Sequence, residues 1–327
     1  MSKLLSILIP VYNGEVYINR CLNSIVRQGG FNEEVEIVII NDGSNDKSLS
    51  ILKEYEAKYD NIRLISRENK GIGPTRNELL DNVSGNFFWF IDVDDYISTN
   101  SLSYIMPLLR NDEYDVLMLS YYWGNQERGR HVKYTGEYTS GLSLTASGIY
   151  NNSLWTRVYR TSVVHNNDIR FENLSMGEDF DFIFRLIPLT GRVKCIDHEL
   201  YYYMENPVSA VFNPNIEHRL NSSKDTMTCL LRAKQMIDKI DDVNTQNVLS
   251  KPYSMFIKGY IHSILTYSFP ESYKRKVFNK MRTLALFKYA KFSNDLKMFL
   301  ICAMLKNKKL TALLLYLDSV YMRLHEN

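Results

Sequence analysis

Three carboxylates follow directly on an apolar run near residue 90. Residues 87–91 have the length and composition of a buried strand, and Asp92, Asp94 and Asp95 come immediately after them. Carboxylate oxygens are the ligands that Mg²⁺ and Mn²⁺ prefer, and a cation held by one or two carboxylates completes its shell with water and substrate phosphates. The same letters are also typical of a solvated turn that caps a helix. Two alternatives therefore stand: a cation site that needs a diphosphate, or an acidic turn.

A second polar cluster, residues 41–46, follows the apolar run at 35–40. Asp42 can accept a hydrogen bond from the N–H of a pyrimidine base, and Gly43 permits a close approach of the backbone. Ser44 and Asp46 suit the N-cap of a following helix. Taken alone, such a cluster is a plain turn more often than a binding site.

The elements around these clusters predict their position. Short apolar runs at 4–9, 35–40, 62–65 and 87–91 alternate with segments of helical periodicity. This alternation is typical of an α/β fold with a mostly parallel, doubly wound sheet and helices on both faces. Ligands of such sheets bind outside the carboxyl ends of the strands. We therefore expect residues 10–13, 41–44 and 92–95 to converge on one crevice.

The sequence pattern changes at residue 96 and again at residue 215. Residues 96–214 are mixed and rich in aromatic side chains, with predicted strands at 116–120 and 201–203 and a polar loop with short strands at 124–147. From residue 215 to 327 the pattern is helical, with few Gly or Pro residues. We predict one domain over 1–214 and a helical C-terminal extension over 215–327.

Composition and charge restrict the class of protein. Apolar residues make up 45% and charged residues 23% of the 327 residues, which is ordinary for a globular protein. The four cysteines show no paired spacing, which argues against a zinc site or a disulfide framework and favours a reducing compartment. The first apolar run is too short for a secretory signal, and no stretch approaches the length of a membrane span. These features predict a cytoplasmic protein.

The C-terminal segment is strongly basic. Residues 251–327 carry 14 Lys and Arg against 4 Asp and Glu, a net +10, whereas the preceding 250 residues carry a net −8. Amphipathic helices rimmed with lysine can lie on an anionic membrane surface. The alternative is a helical subdomain that packs on the body of the protein or forms a homodimer with a second copy. Nucleic acid is not an expected partner, because stacking positions and a matching fold are both missing.

Several segments, in this order, resemble a known family. They are SILIPVYNGEVYINRCLNSIVRQ, EIVIINDGSNDKS, RENKGIGPTRNELL and FFWFIDVDDYI, followed by LWTRVYRTSVVHNNDIRF and MGEDFDFIFRL. The set is similar to family 2 glycosyltransferases with the GT-A fold, a nucleotide-diphospho-sugar transferase domain of Rossmann-like type. The resemblance implies an enzyme that transfers a hexose from a nucleotide diphosphate with inversion. It also implies a nucleotide-binding half at 1–95 and an acceptor-binding half at 96–214.

The resemblance also implies roles for single residues. Those implied to bind the nucleotide are Pro10, Tyr12, Asn13, Asp42, Gly71, Arg76 and Asp92, with Asp42 on the uracil. Those implied to lie near the transferred sugar or the acceptor are Gly73, Asn77, Trp155, Arg157 and Glu178. Asp94 is the implied direct ligand of Mn²⁺ or Mg²⁺, and Asp179 is the implied general base.

The chemistry of inversion agrees with two separate acidic sites. A base must take the proton of the acceptor hydroxyl on the face opposite the leaving diphosphate, whose growing charge a cation neutralises. Asp181 is a rival base, but it points away from Asp179 if Asp179 begins a helix. We therefore favour Asp179.

The chain departs from the family pattern at two positions. Arg157 stands where a lysine is usual, and Met204 stands where many relatives carry an arginine near the diphosphate. Arg157, Arg160 and His218 are the candidates to replace that arginine.

The expected function is transfer of a sugar from a UDP-sugar to a saccharide acceptor, free or lipid-linked. The expected setting is the synthesis of bacterial capsule, exopolysaccharide or lipopolysaccharide at the inner face of the cell membrane. One alternative is a teichoic-acid-type transferase that decorates a polymer, and another is a non-catalytic protein that binds nucleotide sugars. The sequence leaves the donor sugar, the acceptor and the linkage position open.

Overall fold

The structure is a computed structural model that describes residues 3–124, 129–206, 213–292 and 295–325, with side chains up to residue 317. The chain divides into two compact units, Met1–Phe212 and Asn213–Asn327.

The first unit contains ten strands and seven helices within its described residues. The strands are β1 (Leu5–Val11), β2 (Val35–Asp42), β3 (Ile62–Arg67), β4 (Phe87–Phe90), β5 (Tyr96–Ile97), β6 (Val116–Trp123), β7 (Arg130–Val132), β8 (Glu137–Tyr138), β9 (Arg157–Arg160) and β10 (Val193–Tyr203). The helices are α1 (Ile18–Val26), α2 (Ser48–Lys58), α3 (Ile72–Asp81), α4 (Ser101–Arg110), α5 (Gly141–Ala146), α6 (Thr161–His165) and α7 (Glu178–Leu186). Short 3₁₀ turns lie at Leu154–Thr156 and Ile187–Leu189.

All ten strands belong to one sheet, ordered β3-β2-β1-β4-β9-β6-β10-β5, with β7 beside β6 and β8 beside β10. The first four strands of this order are parallel, as the sequence predicts. The sheet as a whole is mixed, because β9 runs antiparallel to both β4 and β6. The parallel arrangement therefore describes residues 5–90 and also the pair β6 and β10, whereas β5, β7, β8 and β9 form antiparallel pairs.

Both faces of the parallel strands are buried, which explains their continuous apolar runs. Ile7 and Ile9 of β1 pack in one cluster with Leu22 of α1. Leu8, between them in the chain, points to the other face and packs in a second cluster with Leu79 of α3 and Phe182 of α7. Helices therefore cover both faces of β1.

The second unit is helical throughout its described residues. Its helices are α8 (Ile216–Asp238), α9 (Val243–Thr266), α10 (Glu271–Thr283), α11 (Leu296–Lys306) and α12 (Lys308–His325). Three of them begin at an Asn or Asp whose side chain accepts from backbone N–H groups of the first turn: Asn215, Asp242 and Asp295. Such caps satisfy N–H groups that lack a partner within the helix.

In the parts of the chain that the structure describes, no helix combines the length and the apolar character needed to cross a bilayer. All four cysteines are buried as free thiols.

Candidate functional site

The site is formed where β1, β2 and β4 end. In the parallel register Val11 lies opposite Asn41, and Leu8 lies opposite Phe90. The segments that follow these strands therefore leave the sheet at the same edge. The predicted convergence of residues 10–13, 41–44 and 92–95 is present.

The loops after β1 and β2 are tied to each other by side chains. The N–H of Asn13 donates to Ser44 Oγ at 2.9 Å, and the N–H of Asn45 donates to Asn13 Oδ1 at 2.8 Å. Asn13 adopts a positive φ of 50°, which Asn tolerates better than most residues. Pro10 is buried within β1, whereas the ring of Tyr12 is half exposed beside this loop pair. Tyr12 is thus available to contact a ligand.

Asp42 lies at the end of β2 and is nearly fully buried. Its carboxylate accepts from the N–H groups of Lys70 at 2.9 Å and Gly71 at 3.1 Å and forms an ion pair with Arg67. Gly71 has a φ of +89°, a conformation that glycine adopts without strain. Asp42 is therefore fixed by the segment that leads into α3.

Two residues of α3 brace the segment before α7. A Cβ on Gly73 would lie 2.2 Å from the carbonyl oxygen of Glu172, so only glycine fits there. Asn77 exchanges two hydrogen bonds with the backbone of Phe171, at 2.8 and 2.9 Å. In this structure, both residues hold the chain that leads to Glu178 and Asp179.

Arg76 lies at the centre of the site with its guanidinium among three carboxylates. Its Nη1 is 2.7 Å from Glu178 Oε1 and also pairs with Asp179, while its Nη2 is 3.7 Å from Asp92 Oδ1. Its Nε is buried without a hydrogen-bond partner. The family resemblance implies nucleotide contact for Arg76, and its ion pairs with the α7 carboxylates are an additional feature that the sequence does not reveal.

Burial and mutual repulsion change the acidity of these carboxyl groups. Burial raises the pKa of Asp92 to about 6. Burial, with a further contribution from the charge of Asp179, raises the pKa of Glu178 to about 7. The pKa of Asp179 is also raised by burial, and Arg76 opposes the rise in all three groups. Raised carboxyl pKa values bring a base closer to the pH at which it works.

The backbone of the turn Leu154–Thr156 also reaches Asp179. The N–H of Leu154 is 3.4 Å from Asp179 Oδ2. The next residue, Trp155, is buried and stacks on Tyr201 with ring centroids 4.4 Å apart. Its carbonyl oxygen accepts from the indole N–H of Trp89 at 2.8 Å. Trp155 therefore positions the turn beside the candidate base.

Asp181, the alternative candidate for the base, contacts Arg185. It is buried and forms an ion pair with Arg185 one turn later in α7, at 2.7 Å. Helix α7 begins at Glu178, so Asp179 lies in its first turn. The structure thus brings Asp179, and not Asp181, to Arg76.

Asp94 and Asp95 are neighbours with different surroundings. Asp95 is fully buried and accepts from the hydroxyl of Tyr201 at 2.7 Å and from the N–H of Met204 at 2.8 Å. Asp94 is half-buried, and its Oδ2 accepts from Asn206 Nδ2 at 3.0 Å. Asp95 therefore joins the end of β4 to the end of β10, while Asp94 remains accessible.

Asp94, together with the partly buried Asp92, fits a divalent cation that a ligand would complete. Asp92 and Asp94 lie two residues apart in the chain and offer hard oxygen atoms, which Mg²⁺ and Mn²⁺ prefer. Among the described residues no group of three or more His, Cys, Asp or Glu side chains could hold a metal by itself. A cation here would need oxygen ligands from a bound molecule.

The three candidates to replace the arginine at Met204 differ in their contacts. Arg157 is buried, donates to the carbonyl oxygens of Asn151 and Ser153, and lines a small cavity of about 30 Å³. Arg160 pairs with Asp112 and Asp115 and lies opposite Phe87, at the amino end of β4. His218 lies in α8 of the second unit.

Arg67 and Lys70, which contact Asp42, are absent from the sequence prediction, and so are three residues near the other carboxylates. The three are Leu154, whose N–H faces the candidate base, Tyr201, which joins Asp92 and Asp95, and Asn206, which contacts Asp94. Leu154 contacts Asp179 through its backbone N–H, and Asn206 contacts Asp94 through an amide side chain of a common type. Neither leaves a signal in the sequence. Tyr201 belongs to a recognisable strand, but its partner lies more than a hundred residues away.

Comparison with known proteins identifies the family. The model of glycosyl transferase family 2 matches residues 6–167, which include the ends of β1, β2 and β4. The chain belongs to glycosyl transferase family 2. The uncharacterized glycosyltransferase EpsJ of Bacillus subtilis is 28% identical to this family 2 chain over 219 residues, which cover 64% of this chain and 63% of EpsJ.

A second relative is known from both sequence and structure. The poly(ribitol-phosphate) beta-N-acetylglucosaminyltransferase TarS of Staphylococcus aureus is 31% identical over 200 residues, or 61% of this chain and 35% of TarS. The crystal structure of TarS 1–349 in complex with UDP-GlcNAc matches with a TM-score of 0.72 and 22% identity, over 88% of this chain and 84% of that one. The family 2 chain therefore has the predicted GT-A fold. It spans less than two thirds of either curated relative.

Proposed function

We propose that this protein is an inverting glycosyltransferase that uses a UDP-sugar. The observation that carries the proposal is the buried Arg76, which gathers Asp92 from the end of β4 and Glu178 and Asp179 from the start of α7 into one site. Family membership and the bound UDP-GlcNAc of the TarS complex support a uridine nucleotide as donor.

Asp42 is proposed to bind the uracil. Among the described residues, its Oδ2 accepts one hydrogen bond, from the N–H of Gly71. A carboxylate oxygen can accept two hydrogen bonds, so Oδ2 has room for a second donor. The base N–H would then complete an arrangement that Lys70 and Gly71 already hold in place. Tyr12, exposed at the neighbouring loop, is positioned to contact the ring.

The proposed reaction is a single displacement at the anomeric carbon. The Asp179 carboxylate takes the proton of the acceptor hydroxyl, and that oxygen forms a bond to the anomeric carbon. The bond between this carbon and the diphosphate oxygen breaks, and UDP leaves with the electron pair. Because attack and departure occur on opposite faces, an α-linked donor gives a β-linked product.

Asp94, with Asp92 beside it, would hold Mn²⁺ or Mg²⁺. The cation would neutralise charge on the diphosphate. Arg76 keeps Glu178 and Asp179 close together in spite of their like charges, and it holds Asp92 in the same site. Removing any of the three carboxylates would change the balance of charge around the buried guanidinium of Arg76.

We further propose a saccharide acceptor, free or lipid-linked, in the synthesis of a bacterial surface polysaccharide at the inner face of the cell membrane. Decoration of a teichoic-acid-type polymer is a second candidate, which the similarity to TarS favours. A protein that only binds nucleotide sugars is less compatible with the site, because Asp42, Asp92, Asp94 and Asp179 are all present and converge on one edge of the sheet.

The product distinguishes these candidates. The protein is incubated with a panel of UDP-sugars and two acceptor classes, lipid-linked oligosaccharide and poly(ribitol phosphate), and the product anomer is read by NMR. A β-linked product on one acceptor class would support the proposal and name the class. An α-linked product from an α-linked donor would contradict the single displacement.

A further inference from the structure

Helices α11 and α12 expose an unusual amount of apolar surface. Half of the large apolar side chains that the described residues expose lie on these two helices. On α11, Leu296, Phe299 and Leu300 are 72, 56 and 53% exposed. On α12, Tyr316 and Leu317 are 62 and 52% exposed. Contiguous exposed apolar side chains mark interaction surfaces more often than scattered ones do.

The spacing of these residues places them on helix faces. Leu296, Phe299 and Leu300 follow the i, i+3, i+4 pattern of one face of α11. A different face of the same helix buries Met298 and Cys302 against the unit. Helix α11 is thus apolar on two sides, and only one of them is covered by the described residues. A helix that is apolar all round is normally covered on every side.

The charged residues of this stretch are all of one sign. Residues 296–317, which Asp295 and Asp318 border, contain four lysines and no Asp or Glu, and all four lysines are exposed: Lys297, Lys306, Lys308 and Lys309. Two of them, Lys308 and Lys309, are the first two residues of α12. The exposed residues of 296–317 are called the lysine-rimmed surface below.

The charge of this surface distinguishes between two possible partners, a second copy of the chain and an anionic bilayer. A symmetric contact between two copies would bring two lysine clusters together with no carboxylate of the surface to pair with them. Lysine is also depleted at protein–protein interfaces. An anionic bilayer neutralises lysines at its surface and takes up apolar side chains at the level of the head groups.

We propose that the lysine-rimmed surface binds the face of an anionic phospholipid bilayer. Phe299, Leu300 and Leu317 enter the head-group region, and the lysines contact the lipid phosphates. This inference rests on α11 and α12 alone and does not depend on the proposed sugar transfer.

The test uses the full chain in vesicle flotation. Vesicles of equal parts phosphatidylglycerol and phosphatidylcholine are compared with vesicles of phosphatidylcholine alone. We expect the protein to float with the anionic vesicles only, and added salt to weaken the binding. Absence of binding to the anionic vesicles would overturn the proposal.

Two pairs of variants test the surface itself. Lys308→Gln with Lys309→Gln should weaken binding about 25-fold, since each lysine near an anionic surface contributes roughly fivefold. Lys276→Gln with Lys280→Gln makes the same change at exposed positions of α10 and should have little effect. An equal loss in both variants would show that only total charge matters and would contradict the proposed surface.

The apolar contribution has its own matched control. Phe299→Ser with Leu300→Ser should abolish flotation, whereas Val243→Ser with Met255→Ser removes similarly exposed apolar side chains from α9 and should not. Circular dichroism confirms that each variant folds. A different result would assign the surface to a second copy of the chain. In that case the wild type would not bind vesicles, and Phe299→Ser with Leu300→Ser would dissociate a dimer that is seen by sedimentation.

Discussion

At the scale of single residues, the guanidinium of Arg76 lies among carboxylates from two distant parts of the chain. Asp92, Glu178 and Asp179 carry up to three negative charges around one positive charge. This imbalance in a buried site raises the pKa of the carboxyl groups. Protonation of the site is therefore expected to occur at a pH well above the ordinary range of aspartate.

The first prediction separates the two neighbouring aspartates of α7. Asp179→Asn should lower kcat by about a hundred- to ten-thousand-fold, the usual contribution of a general base, while UDP still binds. Asp181→Asn instead loses the charged hydrogen bonds to Arg185, so it should lower the free energy of unfolding by about 1.5–3 kcal/mol. Steady-state kinetics and chemical denaturation measure the two effects. Unchanged turnover in Asp179→Asn would refute its role as the base.

The second prediction concerns pH. The base acts when it is deprotonated, so kcat/KM should fall as the pH drops through the raised pKa of the carboxyl group. Arg76 lowers the pKa of Glu178 and Asp179 by its charge. Arg76→Gln should therefore move the acidic limb of the profile to higher pH, in addition to any change in KM.

Arg160→Gln is the matched control for that profile. Arg160 also pairs with two aspartates, but at the amino end of β4. Its removal should leave the position of the acidic limb unchanged. An identical shift in both variants, or no shift in Arg76→Gln, would argue against the proposed electrostatic role of Arg76.

The three acids after β4 show what a sequence can and cannot specify. The strand ending predicts that Asp92, Asp94 and Asp95 lie at the carboxyl edge of the sheet, and they do. Their spacing cannot show that Asp95 is buried against Tyr201 while Asp94 stays accessible. That difference depends on where β10 ends, and β10 is distant in the chain.

At the scale of secondary structure, the parallel strands were predictable because they are buried on both faces. Apolar runs at 4–9 and 35–40 correspond to β1 (Leu5–Val11) and β2 (Val35–Asp42). The polar stretch at 124–147 was less informative. It contains α5 (Gly141–Ala146), which begins with a capping box between Ser140 and Ser143 and is too short for a visible helical period.

A third prediction tests the contact between α3 and the segment before α7. Gly73→Ala places a Cβ 2.2 Å from the carbonyl oxygen of Glu172, so the backbone must move. We expect a loss of about 1–3 kcal/mol in the free energy of unfolding, the usual cost of overpacking, together with lower turnover. Urea denaturation and steady-state kinetics measure these changes.

Gly259→Ala provides the control in another helix. A Cβ at Gly259 in α9 would meet no atom within 4 Å, so the substitution should stabilise the protein by about 0.5–1 kcal/mol. If Gly73→Ala behaved in the same way, the close approach of α3 to Glu172 would not exist in solution.

At the scale of the whole molecule, the chemistry and the basic surface belong to different units. The candidate site lies in Met1–Phe212, and the lysine-rimmed surface lies in Asn213–Asn327. The charge difference between the two parts of the chain is visible in the sequence. Which lysines accompany exposed apolar residues was not predictable, because exposure depends on how α11 and α12 pack.

The sequence also does not identify the donor sugar. Epimeric sugars differ in the direction of one hydroxyl group, and the loops that read it are not identified by any motif. The family 2 match extends over residues 6–167, so it does not cover α7 with Asp179 or the second unit. Direct assay of the donor is therefore the shortest route to the function.

The most direct test is UDP release from a panel of UDP-sugars, measured with Mn²⁺ and with a chelator for wild type and Asp94→Ala. We predict release from one donor that requires the cation and falls to background in Asp94→Ala. Calorimetry with UDP and Mn²⁺ accompanies the assay, so that a missing acceptor is recognised by binding without release. No release and no binding of UDP to the wild type would contradict the proposed nucleotide site.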